Sequence, residues 1–332
     1  MLTRWAVVTT CLLATSLPIW SAGTVYEDHT FLTGADALSM TDGVPLPGRA
    51  LTLWTYQITH ASGGGARSHH LVNLVLHGIA GLLVWALARR LSPWPWAPWL
   101  AVLLFWTHPL HSEAVMYIAA RSDVLATIFL LAAVLAGLSA RPWWEIGAWL
   151  VLATISKEIA VVGIALVAVT VAHASTSWRW RHWAVAALAL TALVWIWPWS
   201  GRSVGFVTGT IPMQAHVTSQ AAVIWGYLWS FVTFDGITVD RGFVQAMTGE
   251  TAVLTILLAG AVVAVWGGRR RWPLLAWAVA WGAIWVGPRF VLDAPELLSE
   301  RHLYLGMVAA SIVTGDLVAR LVPSSWEGAC RA

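Results

Sequence analysis

Charge is what this sequence has least of. Asp, Glu, Lys and Arg make up 11% of its 332 residues, lysine occurs once, at Lys157, and hydrophobic residues reach 58%. That balance lies far outside the range of an ordinary soluble domain, because a chain this apolar needs lipid as its solvent. Cysteine is nearly as scarce: Cys11 and Cys330 are too few and too far apart for a disulfide framework or a thiolate metal site. No basic run exceeds Arg269, Arg270, Arg271, so the electrostatic footprint of a nucleic-acid partner is missing. Pro-rich and Ser-rich linkers are also missing, as is any repeat of roughly 20 to 50 residues. The expectation is a single integral-membrane domain over residues 1–332 with no soluble domain.

What is abundant is apolar sequence in long runs. Candidate spans cover 5–22, 71–88, 94–106, 124–138, 143–155, 159–172, 183–199, 221–234, 252–266, 273–286 and 303–322. The fold class is therefore all-α and polytopic, with about 10 to 11 transmembrane helices. The first run follows Arg4 and precedes Ser21 and Ala22 like a cleavable signal, but is read as a retained span. Two counts give ten crossings: either 143–172 is two passes and 221–234 does not cross, or 143–172 is one pass and 221–234 does. Many of the 25 tryptophans lie near the ends of runs, where interfacial anchoring accounts for them; Trp54 and Trp229 are candidates for a sugar platform.

The positive-inside rule orients the set. Placing Arg4, Arg89, Arg90, Arg141, Arg179, Arg181, Arg269, Arg270, Arg271, Arg320 and Arg331 in the cytoplasm puts 11 of 19 basic residues there, accompanied only by Glu145, Asp316 and Glu327. The remaining acids gather on the outer side. The expected location is a multi-pass protein of the plasma (inner) membrane whose chemistry faces the extracytoplasmic side.

Polar residues at membrane depth are costly and tend to mark function. His70, Asn73 and His77 share one helix face at spacings of three and four, as catalytic groups or as interhelical hydrogen bonders. His108, His111 and Glu113 resemble metal ligands, but Pro109 breaks the helix that zinc-protease spacing requires. A hydrogen-bonded outer pocket, with Arg121 free to grip an anion, is preferred. A divalent metal is the alternative, and no cofactor is expected. Lys157 is either a further phosphate contact or the partner of adjacent Glu158 or another nearby acid.

Glu27 and Asp28, with His29 beside them, follow the first span, and Glu300, Arg301, His302 and Tyr304 open the last one from the same side. A carboxylate base and a guanidinium at a membrane surface suit transfer from a lipid phosphate.

On these residues the chain resembles the membrane portion of the transmembrane and TPR-containing O-mannosyltransferases of the GT-C glycosyltransferase superfamily. The ordered match consists of Glu27 and Asp28; His70, Asn73 and His77; Phe105 through His108, His111 and Glu113 to Arg121; Ser156, Lys157 and Glu158; and Ser299 through Tyr304. The resemblance implies a GT-C-like bundle with catalytic loops on the outer face. It also implies transfer of a sugar, mannose in the family, from a polyprenyl-phosphate-sugar donor to a hydroxyl on a secreted or membrane protein. Asp28 and Glu27 then match the catalytic acids, and Arg301, Arg121 and Lys157 become donor-phosphate contacts. His29, His70, Asn73, His77, His108, His111, Glu113, Glu300 and Tyr304 would shape the pocket. The family's first aspartate is Glu27 here, the proline that often follows its arginine is Ala50 after Arg49, and a TPR array is not among the 332 residues. The alternative is a polytopic transporter or lipid-carrier flippase, although such proteins tend to show paired halves with a midplane site.

Overall fold

A computed structural model of the protein describes residues 2–17, 49–174, 213–237, 249–290 and 299–322, and helices account for nearly all of them. In chain order these are α1 (Leu2–Thr15), α2 (Ala50–Ala61), α3 (Ala66–Leu91), α4 (Ala97–Thr107), α5 (Ser112–Met116), α6 (Arg121–Leu138) and α7 (Trp143–Ser156). They are followed by α8 (Gly163–Ala174), α9 (Met213–Thr233), α10 (Gly249–Gly267), α11 (Pro273–Val286), α12 (Glu300–Leu303) and α13 (Gly306–Ala319). Three stretches of the described residues, Ala66–Leu91, Ile118–Leu138 and Gly249–Gly267, are long and apolar enough to cross a membrane. The protein is an all-α polytopic membrane protein.

The longest of these, α3, shows how local sequence sets an element. Its entry is a glycine turn: Gly63 has φ +75°, and a Cβ on Gly64 would stand 2.5 Å from the Thr59 carbonyl oxygen. Arg89 and Arg90 occupy its last turn, where cations suit the helix dipole, before Ser92 and Pro93 end it. Small residues then permit close packing in a medium where the hydrophobic effect offers helices little. Gly81 lies directly beneath the Trp106 indole of α4, and Gly315 of α13 approaches the backbone of Ala97 and Ala101 so closely that a Cβ would sit 2.7 Å from the Ala97 oxygen.

The bundle has two chemically different ends. At one end Arg4 lies over the Trp96 ring, Arg90 donates to Ser139 Oγ, Arg320 lies over Trp272, and the Ser92 hydroxyl donates to Asp316 at 2.6 Å. Arg89, Arg141 and Arg269 to Arg271 belong to this basic end as well, at the helix termini that meet there. At the other end the helices are interrupted by single-turn 3-10 pieces, Pro109–His111 after α4, Ile118–Ala120 before α6, Glu158–Val162 before α8 and Gly287–Phe290 after α11. Irregular backbone at membrane depth is tolerated where it is buried in protein or lines a cavity, and the motif residues gather here.

The stretch 143–172 is divided by geometry. Lys157 is extended (φ −155°, ψ 128°) and stops α7. A Cβ on Gly163 would press on Leu130 and Leu150, whereas Gly137 packs beside Ile146, Val167 and Val171. Thus α8 runs back beside α6, antiparallel to α7, and 143–172 is two segments. Helix α9 touches the non-basic end at both of its own ends, through His216 on the Arg289 carbonyl at 2.8 Å and Phe231 on His108.

Candidate active site

Four small polar assemblies occupy the non-basic end. In the first, Arg121 is fully buried at the start of α6. Its Nε donates to Asn73 Oδ1 at 2.7 Å, Nη1 to Thr55 Oγ1 at 3.3 Å, and Nη2 to the His69 carbonyl at 3.2 Å, with His69 Nδ1 at 3.1 Å. The guanidinium also lies 4.4 Å over the Tyr56 ring. The arginine expected to be free for an anion is instead held on all sides, because burial of a cation at membrane depth demands partners for its donors.

The second assembly is aromatic. His77 Nδ1 meets the Tyr304 hydroxyl at 2.6 Å, and its Nε2 lies 3.3 Å from the Trp106 carbonyl. His111 sits among Phe105, Tyr304 and His77 at centroid distances of 4.4, 4.8 and 5.3 Å, and neither of its ring nitrogens has a hydrogen-bond partner among the described residues. Burial holds the His111 imidazole well below its usual pKa, with His77 and His108 adding to the effect. His70, Asn73 and His77 are all buried on the inward face of α3, and Asn73 Nδ2 also donates to the Val115 and Tyr117 carbonyls.

The third joins distant motifs. Arg301 Nη1 donates to Glu113 Oε1 at 2.6 Å, and the Arg301 backbone N–H donates to Glu113 Oε2 at 2.8 Å. Burial lifts the Glu113 carboxyl above the ordinary carboxylate range, although Arg301 pulls against it. The Arg301 side chain keeps 19% of its surface exposed where Glu113 keeps 1%, and the Arg49 side chain keeps 36%, so these two guanidiniums reach the surface of the site while Arg121 does not. Glu300 beside it is buried.

The fourth is a double ion pair. Lys157 Nζ donates to Asp123 Oδ2 at 2.6 Å, while Glu158 receives Arg49 through Nε at 3.1 Å and Nη2 at 2.8 Å. Lys157 is extended, so successive side chains leave the backbone on opposite sides. The lysine therefore pairs across to α6 and not with its neighbour Glu158.

His108 stands apart from the metal pattern its spacing suggested. Its ring stacks on Phe231 and lies 3.0 Å from that residue's carbonyl, and Nδ1 accepts the Leu110 backbone N–H. Burial lowers its pKa. Among the described residues no group of three or more His, Cys, Asp or Glu is placed to hold a metal ion. Glu27, Asp28 and His29 lie outside the described residues.

Parts of the chain are similar to known proteins. The chain is 32% identical over 197 residues to the Protein O-mannosyl-transferase Tmtc2 of Drosophila melanogaster, a match covering 48% of this chain and 21% of that protein. It is 36% identical over 112 residues to the Protein O-mannosyl-transferase TMTC2 of Homo sapiens, covering 31% and 13%. With the human Protein O-mannosyl-transferase TMTC4 the identity is 37% over 98 residues, covering 25% and 13%. The chain is TMTC-like. The matched stretch spans about a fifth or less of the length of these relatives. No family model and no solved structure matches it.

The TMTC-like motifs alone leave out several residues that the tertiary structure brings into the site. His69 and Thr55 complete the Arg121 shell, and Arg49 completes the Glu158 pair. Tyr56 supports Arg121 from below and donates its hydroxyl to the Ile118 carbonyl at 2.7 Å. A signal for it was present: Thr52, Tyr56 and Thr59 recur at helical spacing in α2 and are buried, while Trp54 and Ile58 on the opposite face are exposed.

Proposed function

We propose that this protein is a membrane glycosyltransferase that moves mannose from a polyprenyl-phosphate-sugar donor to a hydroxyl acceptor, a Ser or Thr of a secreted or membrane protein. Similarity to proteins named O-mannosyl-transferases carries this reading. The gathering of the matching motif residues at one end of the bundle supports it. By the positive-inside rule the basic end is cytoplasmic, which makes the site end extracytoplasmic in the plasma (inner) membrane.

In this reading the Asp28 carboxylate takes the proton of the acceptor hydroxyl, whose oxygen attacks the anomeric carbon while the sugar–phosphate bond breaks and its electron pair leaves with the lipid phosphate. Glu27 assists. Arg301, held in place by Glu113 and partly exposed, meets the growing phosphate charge. Lys157 and Arg121, both enclosed, act by shaping the wall that presents Arg301 and the donor, together with His29, His70, Asn73, His77, His108, His111, Glu300 and Tyr304.

The experiment is transfer by membranes containing the protein, supplied with labelled polyprenyl-phosphate mannose. Label in a new glycosidic bond on a hydroxyl acceptor is expected, falling by roughly 10² to 10⁴ in Asp28→Asn, as loss of general base catalysis requires. Label that only changes leaflet, still attached to the lipid, would make the protein a flippase.

A further inference from the structure

Three tryptophans of α11, Trp277, Trp281 and Trp285, recur every fourth residue and so share one face of the helix. All three are buried, which sets them apart from tryptophans that anchor a span at the membrane surface. A buried indole N–H needs an acceptor, and here each reaches a different one. Trp277 donates to Thr170 Oγ1 of α8 at 3.0 Å, Trp281 to the Leu305 carbonyl at 3.1 Å, and Trp285 to the His302 carbonyl at 2.6 Å. Two of these bonds end on the short stretch that carries Arg301, and the shortest falls on the residue next to it.

We propose that Trp285 is a positioning residue for Arg301, aiming its guanidinium at the donor phosphate; the inference rests on the transfer reaction proposed above. The helix that bears Arg301, Glu300–Leu303, is a single turn of four residues. One turn fixes several dihedrals for very few bonds of its own, so its direction comes from what touches it. Glu113 of α5 grips Arg301 through the backbone N–H and Nη1, and Ser299 with His302 closes a capping box at the start of the turn. Beyond the turn the Tyr304 hydroxyl meets His77 of α3 at 2.6 Å. Trp285 adds the anchor from α11, one residue past Arg301, and Trp281 ties the same helix to the following Leu305. A turn held by one helix can pivot about that contact, whereas anchors delivered by separate helices fix its direction. The precision matters because a displacement of about 1 Å at a reacting group can cost roughly 10² in rate.

The test compares Trp285→Phe with Trp277→Phe, the same loss of an indole N–H on the same face of the same helix. Turnover and half-saturating donor are measured in detergent with labelled polyprenyl-phosphate mannose, alongside thermal unfolding and hydrogen exchange of residues 299–305. Both variants should unfold at a lower temperature than wild type. Only Trp285→Phe should speed exchange in 299–305 and lower turnover at saturating donor, by roughly 10-fold, the rate equivalent of one buried hydrogen bond. In an Arg301→Lys background, where the planar fork is already lost, Trp285→Phe should cost no further turnover, because it acts through Arg301. Should Trp285→Phe fail to fold, Trp281→Phe takes its place with the same expected pattern. An equal loss of turnover in Trp277→Phe, or a full additional loss in the Arg301→Lys background, would overturn the proposal. Full turnover in Trp285→Phe beside an active wild type would overturn this inference alone, whereas a wild type that transfers no sugar would refute the proposed function and this inference with it.

Discussion

One carboxylate, Glu113, holds Arg301 twice: its Oε1 accepts the guanidinium at 2.6 Å and its Oε2 accepts the Arg301 backbone N–H at 2.8 Å. The same side chain thus satisfies an orphan donor in the first turn of α12 and fixes a partly exposed guanidinium of the site. Two motifs 188 residues apart become a single unit.

Because the backbone bond survives any change of side chain, Arg301→Lys should fold with little loss of unfolding temperature. The planar fork is lost, so turnover at saturating lipid donor should fall if this residue grips the phosphate. Unchanged turnover would confine Arg301 to a structural role. Glu113→Gln, which removes the charge that faces Arg301, should lower both stability and activity, the stability by up to about 3 kcal/mol.

Arg121 should behave in the opposite way. Lysine cannot reach Asn73, Thr55 and His69 together, so Arg121→Lys should lower the unfolding temperature far more than Arg301→Lys does. Parallel thermal unfolding of the two variants in detergent decides it: equal shifts would contradict the enclosed geometry.

Lys157 and Asp123 form a buried pair, with Lys157 at 4% and Asp123 at 2% exposure. Removing either partner alone leaves the other charge uncompensated, at a cost of about 3 to 5 kcal/mol. The double variant Lys157→Met with Asp123→Leu should be more stable than either single one. A double-mutant cycle measured by unfolding tests this, and additive losses would show that the pair is not coupled.

Protonation should unfold the site end early. His108, His111 and His302 are each held below the usual imidazole pKa by burial, and for His302 the charges of Arg289, Lys157, Arg301 and Arg49 add to it. The unfolded chain therefore binds protons that the fold refuses, so stability is full above about pH 6.5 and declines as pH falls below it. His302 Nδ1 accepts the Ser299 N–H and His108 Nδ1 accepts the Leu110 N–H, two bonds that the imidazolium cannot keep. His111→Gln should flatten the fall in unfolding temperature between pH 7.5 and 5, and an unaltered slope would exclude His111 as a contributor.

Much of this was legible along the chain. The inward face of α3 follows from the three- and four-residue spacing of His70, Asn73 and His77, since helical period alone decides which side chains share a face. The glycine entry to α3 and the arginines in its last turn are equally local. The segregation of Arg4, Arg89, Arg90, Arg141, Arg269 to Arg271 and Arg320 at one end follows the same alternation of spans and loops that the sequence displays.

Composition and periodicity by themselves determined that this is a helical, membrane-embedded chain, and which residues must turn inward, because lipid leaves a backbone few other solutions. Partnership was decided only by tertiary packing. Arg301 found Glu113, Lys157 found Asp123 past its neighbour Glu158, and Glu158 found Arg49 over a separation of 109 residues. Nothing local encodes these choices. A charged group at the end of a helix takes the opposite charge that neighbouring helices deliver at the same depth, and that depth is set by small-residue contacts such as Gly315 on Ala97 and Gly163 on Leu130.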